Sequence, residues 1–192
     1  MCIRDRVRRD HSQPGVDLTY IKQGAEATGD AGDPYTGLDR FGRVVDQRWV
    51  KTSTGAATDR FQYGYDRDGN QTYRDNLVNT AYGEVYTYDG TGQVTSFARG
   101  TLNAGKTAVS GTAVRTQGWD YDAAGNWDSV TTNGTAQSRT ANRQNGVTAV
   151  SGATTPAFDA NGNLTKDETG KAYVYDAWNR LVAVQSSPGG TT

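Results

Sequence analysis

The sequence predicts an all-β chain, an antiparallel meander of repeated β-hairpins. Three observations carry that expectation. Glycine supplies 24 of 192 residues, and Thr, Asn and Asp are frequent while proline is scarce at 4. Apolar residues make up only 34%, against about 45–50% in ordinary globular chains on a count that also includes Gly. Finally, one short motif returns six times, at a spacing that suits strands and turns rather than helices.

In order, the copies are Leu38-Asp39-Arg40-Phe41-Gly42-Arg43-Val44, Tyr63-Gly64-Tyr65-Asp66-Arg67-Asp68-Gly69-Asn70 and Tyr86-Thr87-Tyr88-Asp89-Gly90-Thr91-Gly92-Gln93-Val94. They continue with Trp119-Asp120-Tyr121-Asp122-Ala123-Ala124-Gly125-Asn126-Trp127, Phe158-Asp159-Ala160-Asn161-Gly162-Asn163-Leu164 and Tyr173-Val174-Tyr175-Asp176-Ala177-Trp178-Asn179-Arg180-Leu181. The shared plan is aromatic-x-aromatic-Asp-x-x-Gly-Asn/Arg-apolar. The aspartates are separated by 27, 23, 33, 37 and 17 residues. That irregularity fits hairpins joined by loops of varied length better than a strict solenoid.

Each part of the motif has a physical role. Two rings spaced by one residue share a strand face, because side chains alternate. Asp suits the first position of a type I turn, where its carboxylate accepts backbone N–H bonds. Gly three residues later suits the fourth position, which commonly requires positive φ. The next apolar residue (Val44, Val94, Trp127, Leu164 or Leu181) returns to the inner face. Each unit therefore reads strand–turn–strand. The structural residues of the plan are Asp39/Gly42, Asp66/Gly69, Asp89/Gly92, Asp122/Gly125, Asp159/Gly162 and Asp176/Asn179. Tyr63, Tyr65, Tyr86, Tyr88, Tyr173 and Tyr175 are assigned to packing on the inner face. Between units, Asp167-Glu168-Thr169-Gly170-Lys171 closes a further hairpin. Asn145-Gly146 reads as a two-residue hairpin turn, with Asn133-Gly134 and Asn103-Ala104-Gly105 similar. One hairpin does not stabilise itself, so neighbours must pair edge to edge. The unpaired edges are expected to leave the isolated segment prone to aggregation.

Several function classes fit poorly. The formal net charge is −1, whereas a nucleic-acid binder needs a basic excess to neutralise phosphates. The one cluster, Arg4, Arg6, Arg8 and Arg9, sits at the N-terminus, so no nucleic-acid partner is expected. Cys2 is the sole cysteine and His11 the sole histidine, which leaves no internal disulfide, zinc site or Ser-His-Asp arrangement. No run of 18 apolar residues spans a membrane. Asp66-x-Asp68-Gly69 with Asp75, and Asp159-x-Asn161-Gly162 with Glu168, echo a calcium loop, but the first ligand position falls on Gly64 or Ala157. Asp120, Asp122 and Asp128 are the nearest approach to paired carboxylates, yet Asp122 already has a turn role. A catalytic acid also has no reason to recur in every unit. No catalytic residue, cofactor or metal is expected. Among Trp49, Trp119, Trp127 and Trp178, the last occupies a turn and is the best candidate for an exposed contact. The sequons at Asn70, Asn133 and Asn163 are compatible with surface loops.

These residues resemble the tyrosine–aspartate (YD, or Rhs-type) repeats of Rhs proteins, Tc-toxin shell subunits and teneurins. The likeness runs from about Tyr35 to Val184, and the last copy, Tyr173 to Leu181, is its most specific part. Two copies depart from it: Leu38 precedes Asp39 in place of Tyr, and Asn179 stands at a glycine position. The resemblance implies a sheet spiralling into a hollow shell, of which this chain is a segment. It further implies partners in the remaining repeats of a longer protein. Beyond those lies either an enclosed C-terminal toxin or effector domain, or a cell-surface glycan or protein. A secreted or cell-surface location follows from the same likeness. Residues 1–15 carry no motif and no signal peptide, and read as a leader outside the fold. Residues 16–185 read as the repeat region and 186–192 as a flexible tail.

Overall fold

A computed structural model describes residues 8–11, 15–20 and 37–189. Part of the 1–15 leader, read from the sequence as outside the fold, is a strand: Arg8–His11 pairs antiparallel with Val16–Thr19. Apart from Gly15, the rest of the leader lies outside the described residues, as do Tyr35 and the end of the 186–192 tail. The chain divides into two units, 1–116 and 117–192.

In the first unit the strands are β1 (Arg8–His11), β2 (Val16–Tyr20), β3 (Asp46–Lys51), β4 (Ala57–Tyr65), β5 (Gln71–Asn76), β6 (Glu84–Tyr88) and β7 (Val94–Arg99). From β1 to β7 each strand pairs antiparallel with the next. The second unit carries β8 (Arg115–Tyr121), β9 (Trp127–Thr132), β10 (Thr135–Ala141) and β11 (Val147–Val150), again in sequence order. A four-stranded sheet follows: β12 (Ala157–Phe158), β13 (Leu164–Lys166), β14 (Ala172–Tyr175) and β15 (Leu181–Gln185). A 3-10 turn, Thr80–Tyr82, interrupts the meander. The described chain is thus a hairpin meander, as the turn-rich composition and the recurring motif predict.

The registers show why alternation matters. Phe61 faces Asn76, Tyr63 faces Arg74, and Arg74 faces Glu84 in turn. Tyr86 faces Phe97, and Glu84 faces Arg99. One face of β4–β7 therefore interleaves rings with charged groups. Arg74 lies 5.3 Å from the Phe61 ring centroid and Arg99 lies 5.5 Å from that of Phe97. The Tyr86 and Phe97 rings are 5.6 Å apart. Such contacts between guanidinium and ring add to simple apolar burial.

The repeat tyrosines, assigned by sequence to an inner packed face, are only partly buried. Their hydroxyls explain the difference: a phenol needs a partner when water leaves it. Tyr86 donates to Glu84 Oε2 at 2.6 Å and Tyr173 to Asp167 Oδ2 at 2.7 Å. Tyr63 accepts from Gln47 Nε2 at 2.6 Å. Among the described residues the buried apolar side chains are few: Leu102, Val150, Pro156 and Ala172. Charged side chains fill the places a larger core would take. Asp46 is fully buried and takes Arg60 Nε at 3.1 Å, Arg60 Nη2 at 2.8 Å and Gln62 Nε2 at 2.8 Å. Glu84 is buried between Arg74, at 2.8 Å, and Arg99, at 2.7 Å. Asp75 is buried against Lys106. Each carboxylate is compensated by a cation from another strand or loop, which is what keeps buried charge tolerable.

The segment 100–114 between β7 and β8 folds back on the first unit. Leu102 bridges Val109, and Ser110 N donates to Thr101 O at 2.7 Å. Gly83 and Gly100 let it approach: a Cβ on Gly83 would lie 2.7 Å from the Gly100 carbonyl oxygen and 2.8 Å from Leu102 Cγ.

Gly64 has a different purpose. The Tyr73 ring covers it from the facing strand, and a Cβ there would stand 2.1 Å from Tyr73 Cε1. Gly64→Ala should push the ring off and destabilise the first unit by roughly 1–3 kcal/mol. Urea melts of Gly64→Ala, Tyr73→Ala and the double variant test this. The double variant should cost clearly less than the sum of the singles, and strict additivity would show that ring and glycine are not coupled.

Candidate functional site

The recurring feature is a loop in which a side-chain oxygen caps its own turn. Asp39 Oδ1 accepts from Phe41 N at 2.9 Å and Arg43 N at 3.0 Å. Asp89 Oδ1 accepts from Thr91 N and Gln93 N, Asp122 Oδ1 from Ala124 N and Asn126 N, Asp159 Oδ1 from Asn161 N and Asn163 N, and Asp176 Oδ1 from Trp178 N and Arg180 N. Asp66 Oδ1 accepts from Asn70 N at 2.8 Å. The oxygen thus reaches the second and fourth residues after it.

The backbone closes the same ring. Gly42, Gly69, Gly92, Gly125 and Gly162 each donate N–H to the carbonyl of the Asp three residues earlier. The Asp N–H returns to the carbonyl of the fourth residue, as Asp122 N does to Asn126 O at 2.9 Å. The residue at the fourth position has φ from 79° to 93° when it is Gly, and 59° at Asn179. This is a type I turn followed by a bulge in the left-handed region. The strand registers slip next to it, at Gly64/Tyr65, Thr87/Tyr88, Asp120/Tyr121 and Val174/Tyr175.

Three further loops are capped in this way. Asn103 Oδ1 accepts from Thr107 N at 2.9 Å, and Lys106, with φ of 55°, donates its N–H to Asn103 O, so Asn103-Ala104-Gly105 is not a two-residue turn. Asn142 Oδ1 accepts from Gln144 N and Gly146 N, and Asn145, with φ of 62°, takes the glycine position. Asn145-Gly146 is therefore not a two-residue turn as its dipeptide suggests; Asn145 ends a four-residue turn that Asn142 begins. With Asn142 counted, the gap of 37 residues between Asp122 and Asp159 divides into 20 and 17. The clue was an Asn-x-x-Asn plan, chemically the same motif with amides in place of the carboxylate and the glycine. Asp167 caps Thr169 N and Lys171 N, at the β13–β14 connection. Asn133-Gly134 is a true two-residue turn: φ is positive at both, 48° and 82°, and Thr132 faces Thr135.

Apart from the Asp167 loop, which lies at the opposite end of its strands, the loops begun by the repeat Asp residues and by Asn142 follow alternate strands and touch a neighbour. In the first unit Tyr65 donates its hydroxyl to Val44 O at 2.8 Å, and Tyr88 to Gln71 O at 2.7 Å. Both acceptors lie five residues after the previous loop's Asp. In the second unit Asn126 Nδ2 donates to Asn145 Oδ1, and Asn161 and Asn163 Nδ2 both donate to Asn179 Oδ1, all at 3.0 Å.

This network leaves the acidic groups committed. Asp66 Oδ2 holds Asn70 Nδ2, Asp159 Oδ2 holds Asn163 Nδ2, and Asp75 is tied to Lys106. Asp120 accepts from Ser129 Oγ at 2.6 Å. Among the described residues no group of three or more His, Cys, Asp or Glu side chains is placed to hold a metal ion, and no helix is long and apolar enough to cross a membrane. The side chain of His11 lies outside the description.

The donors also shift titration. The carboxyls of Asp66, Asp89, Asp122, Asp159 and Asp176 lie below the ordinary value. The leading causes are the side-chain donors Asn70, Thr91, Asn126, Asn163 and Arg180, respectively, supported by backbone N–H groups. At Asp39 desolvation pushes upward, but the bonds from Arg43 and Phe41 outweigh it. Asp167 is drawn down to about 2, chiefly by the Tyr173 hydroxyl.

Two loops present aromatic tips. Phe41 is 67% exposed and Trp178 is 75% exposed. Beneath each ring lies the arginine two residues on, with Arg43 and Arg180 both 5.2 Å from the centroid.

No family model and no curated relative matches the sequence. Solved structures do. The Photorhabdus luminescens Tc holotoxin pore matches at a TM-score of 0.68 and 17% identity, over 94% of this chain and 9% of that one. A TcdB2-TccC3 crystal structure matches at 0.66 and 17%, over 94% and 10%. A TcdB2-TccC3-TEV structure matches at 0.64 and 18%, over 90% and 9%. This chain has the fold of a segment of those Tc-toxin chains. The likeness to Tc-toxin subunits read from the tyrosine–aspartate motif is met at the level of fold. The chain spans about a tenth of the length of the chains it matches.

Two outcomes are expected of the loops. Gly125→Ala places a side chain at φ 83° and should cost about 1 kcal/mol. Gly125→Asn should cost less, since Asn145 and Asn179 hold that position natively. Asp122→Ala should destabilise more than Asp122→Asn, which keeps an acceptor as Asn142 does. Denaturant midpoints read both orders, and a reversal of either contradicts the geometry.

Acid titration gives the second. A carboxyl whose folded pKa is depressed contributes stability above its unfolded value and loses it as pH falls through the folded value. Thermal midpoints should therefore hold above the ordinary 3.8 and fall from there towards about 2. Asp167→Asn should flatten the lower part of that fall, and an unchanged acid limb would remove Asp167 from the account.

Proposed function

We propose that this chain is a structural repeat segment of a bacterial Rhs-type protein, whose shell encloses or presents a C-terminal toxin or effector. The observation that carries the reading is the repeated capped loop, set in a fold shared with Tc-toxin chains over nine-tenths of this chain. The loops hold their donors and acceptors inward, on themselves and on their neighbours. That is the chemistry of a scaffold, in which side chains are spent on holding strands in register. In this reading residues 16–185 are the repeat region and 186–192 a tail. Its partners are the remaining repeats and an enclosed polypeptide. The protein is secreted or displayed at the cell surface.

A second reading rests on the two exposed aromatic tips. Phe41 and Trp178, each lying over an arginine, offer flat surfaces to a cell-surface glycan or protein, and the chain would then be an adhesive module.

Limited proteolysis of the full-length protein discriminates. In the scaffold reading, one continuous segment outside the repeats resists protease until denaturant opens the sheet, and then is cut quickly. If every segment outside the repeats is cut at the rate of an unfolded chain, the enclosing role fails. Saturable glycan binding that Trp178→Ala abolishes would favour the adhesive reading instead.

A further inference from the structure

Asparagine followed by glycine is the dipeptide in which the main chain most easily attacks its own side chain, because no Cβ shields the glycine nitrogen. The sequence holds three such pairs, Asn133-Gly134, Asn145-Gly146 and Asn161-Gly162. As dipeptides they are equivalent. The fold makes them unlike.

Two of them lie inside capped loops. Gly146 N donates to Asn142 Oδ1 at 2.9 Å, and Gly162 N donates to Asp159 O at 3.1 Å. Gly146 is also crowded: a Cβ there would stand 3.2 Å from Phe158 Cζ and 3.2 Å from Asn142 Nδ2. Asn133-Gly134 forms the plain two-residue turn between β9 and β10. Both residues are exposed, and a Cβ on Gly134 would meet nothing within 4 Å. Among the described residues no acceptor holds the Gly134 N–H. All three asparagines make contacts of their own, so the difference lies in the glycine nitrogen.

The chemistry turns on that nitrogen. Attack on the side-chain carbonyl begins when hydroxide removes its proton. A glycine N–H bonded to an oxygen resists this in two ways. The hydrogen bond is lost, and the bared lone pair then faces the lone pairs of the acceptor. At Gly134 neither cost arises, and water reaches the turn.

We propose that Asn133 is a self-modification site, converted through a succinimide to aspartate and isoaspartate, and that the capped loops keep Asn145 and Asn161 intact. The deprotonated Gly134 nitrogen bonds to Asn133 Cγ, and the side-chain nitrogen leaves as ammonia, taking a proton from water. Water then opens the ring. Opening at the side-chain carbonyl gives aspartate. Opening at the main-chain carbonyl gives isoaspartate, whose backbone runs through Cβ and Cγ and is longer by one carbon. In sum an amide and a water become an acid and ammonia, and nothing is oxidised or reduced. A two-residue turn has no slack for an extra carbon. Thr132 faces Thr135 across it, so isoaspartate loosens the β9–β10 pairing from the turn inward. The inference is independent of what a shell encloses.

The full 192-residue chain is aged in mildly alkaline buffer and digested with trypsin, which places Asn133 in residues 116–139 and the other two pairs in 144–166. Fragment masses then assign each amide-to-acid conversion. In the folded chain Asn133 should convert about tenfold faster than Asn145 or Asn161, the ratio for one hydrogen bond broken before attack. In concentrated guanidinium the three rates should converge. Asn142→Ala removes the acceptor of Gly146 N and should raise the Asn145 rate about tenfold, whereas Asn142→Asp keeps an acceptor and should leave it low. Hydrogen exchange of the aged chain should show β9 and β10 amides next to the turn losing protection, with β14 and β15 unchanged.

Equal rates at the three sites of the folded chain overturn the proposal, as does earlier conversion of Asn145 or Asn161. A spread of rates that persists in guanidinium assigns the difference to sequence and also overturns it. So does an Asn145 rate that ignores Asn142→Ala. If that variant does not fold, the comparison of the natural chain with and without denaturant carries the test.

Discussion

The structure depends on one contact: a carboxylate or amide oxygen accepting the backbone N–H groups two and four residues ahead of it. That bond makes a reversal in which a left-handed residue is tolerable and a bulge follows. Without it, the strand after each loop would have no fixed register against the strand before. The tyrosine before the Asp and the apolar residue after the loop are placed by that register. So are the hydroxyl bonds from Tyr65 and Tyr88 to the preceding loop. A change in the capping residue therefore acts on two hairpins, its own and the next one along the rim.

Polar interactions carry much of what a packed core carries elsewhere. Leu102, Val150, Pro156 and Ala172 are the buried apolar residues of the described chain, while Asp46, Asp75 and Glu84 are buried with cations from other strands or loops. A single sheet layer encloses little apolar volume, so rings remain partly exposed and their edges and hydroxyls are put to use. Arginines recur because a planar guanidinium both lies on a ring and grips a carboxylate. Arg43 does both at once, to Phe41, Tyr65 and Asp39.

The hairpin architecture was legible because turn chemistry is local. Asp at the first position and Gly at the fourth specify the loop within five residues, whatever lies around them. The Asn142 loop was not legible because Asn does the work of both Asp and Gly there, and because Ala141 stands where four of the six other copies carry Tyr. The hydroxyl bonds were not legible, since they join residues about twenty apart that meet only after register is set. Nor were the buried pairs Asp46–Arg60 and Glu84–Arg99, in which ordinary-looking charges become interior through pairing. Trp178, singled out from its place in a turn, does present its ring to solvent.

The capped loops and the plain connections have different freedoms. The loops begun by Asp66, Asp89, Asp122, Asp159 and Asp176 all have one length, and each is bonded to a neighbouring loop, so that length is not free to change. The other connections range from the pair Asn133-Gly134 to the folded-back stretch 100–114. Growth in such a chain is therefore confined to the plain connections. New sequence enters there, where it lengthens a connection without disturbing the ladder, while the capped loops hold their size.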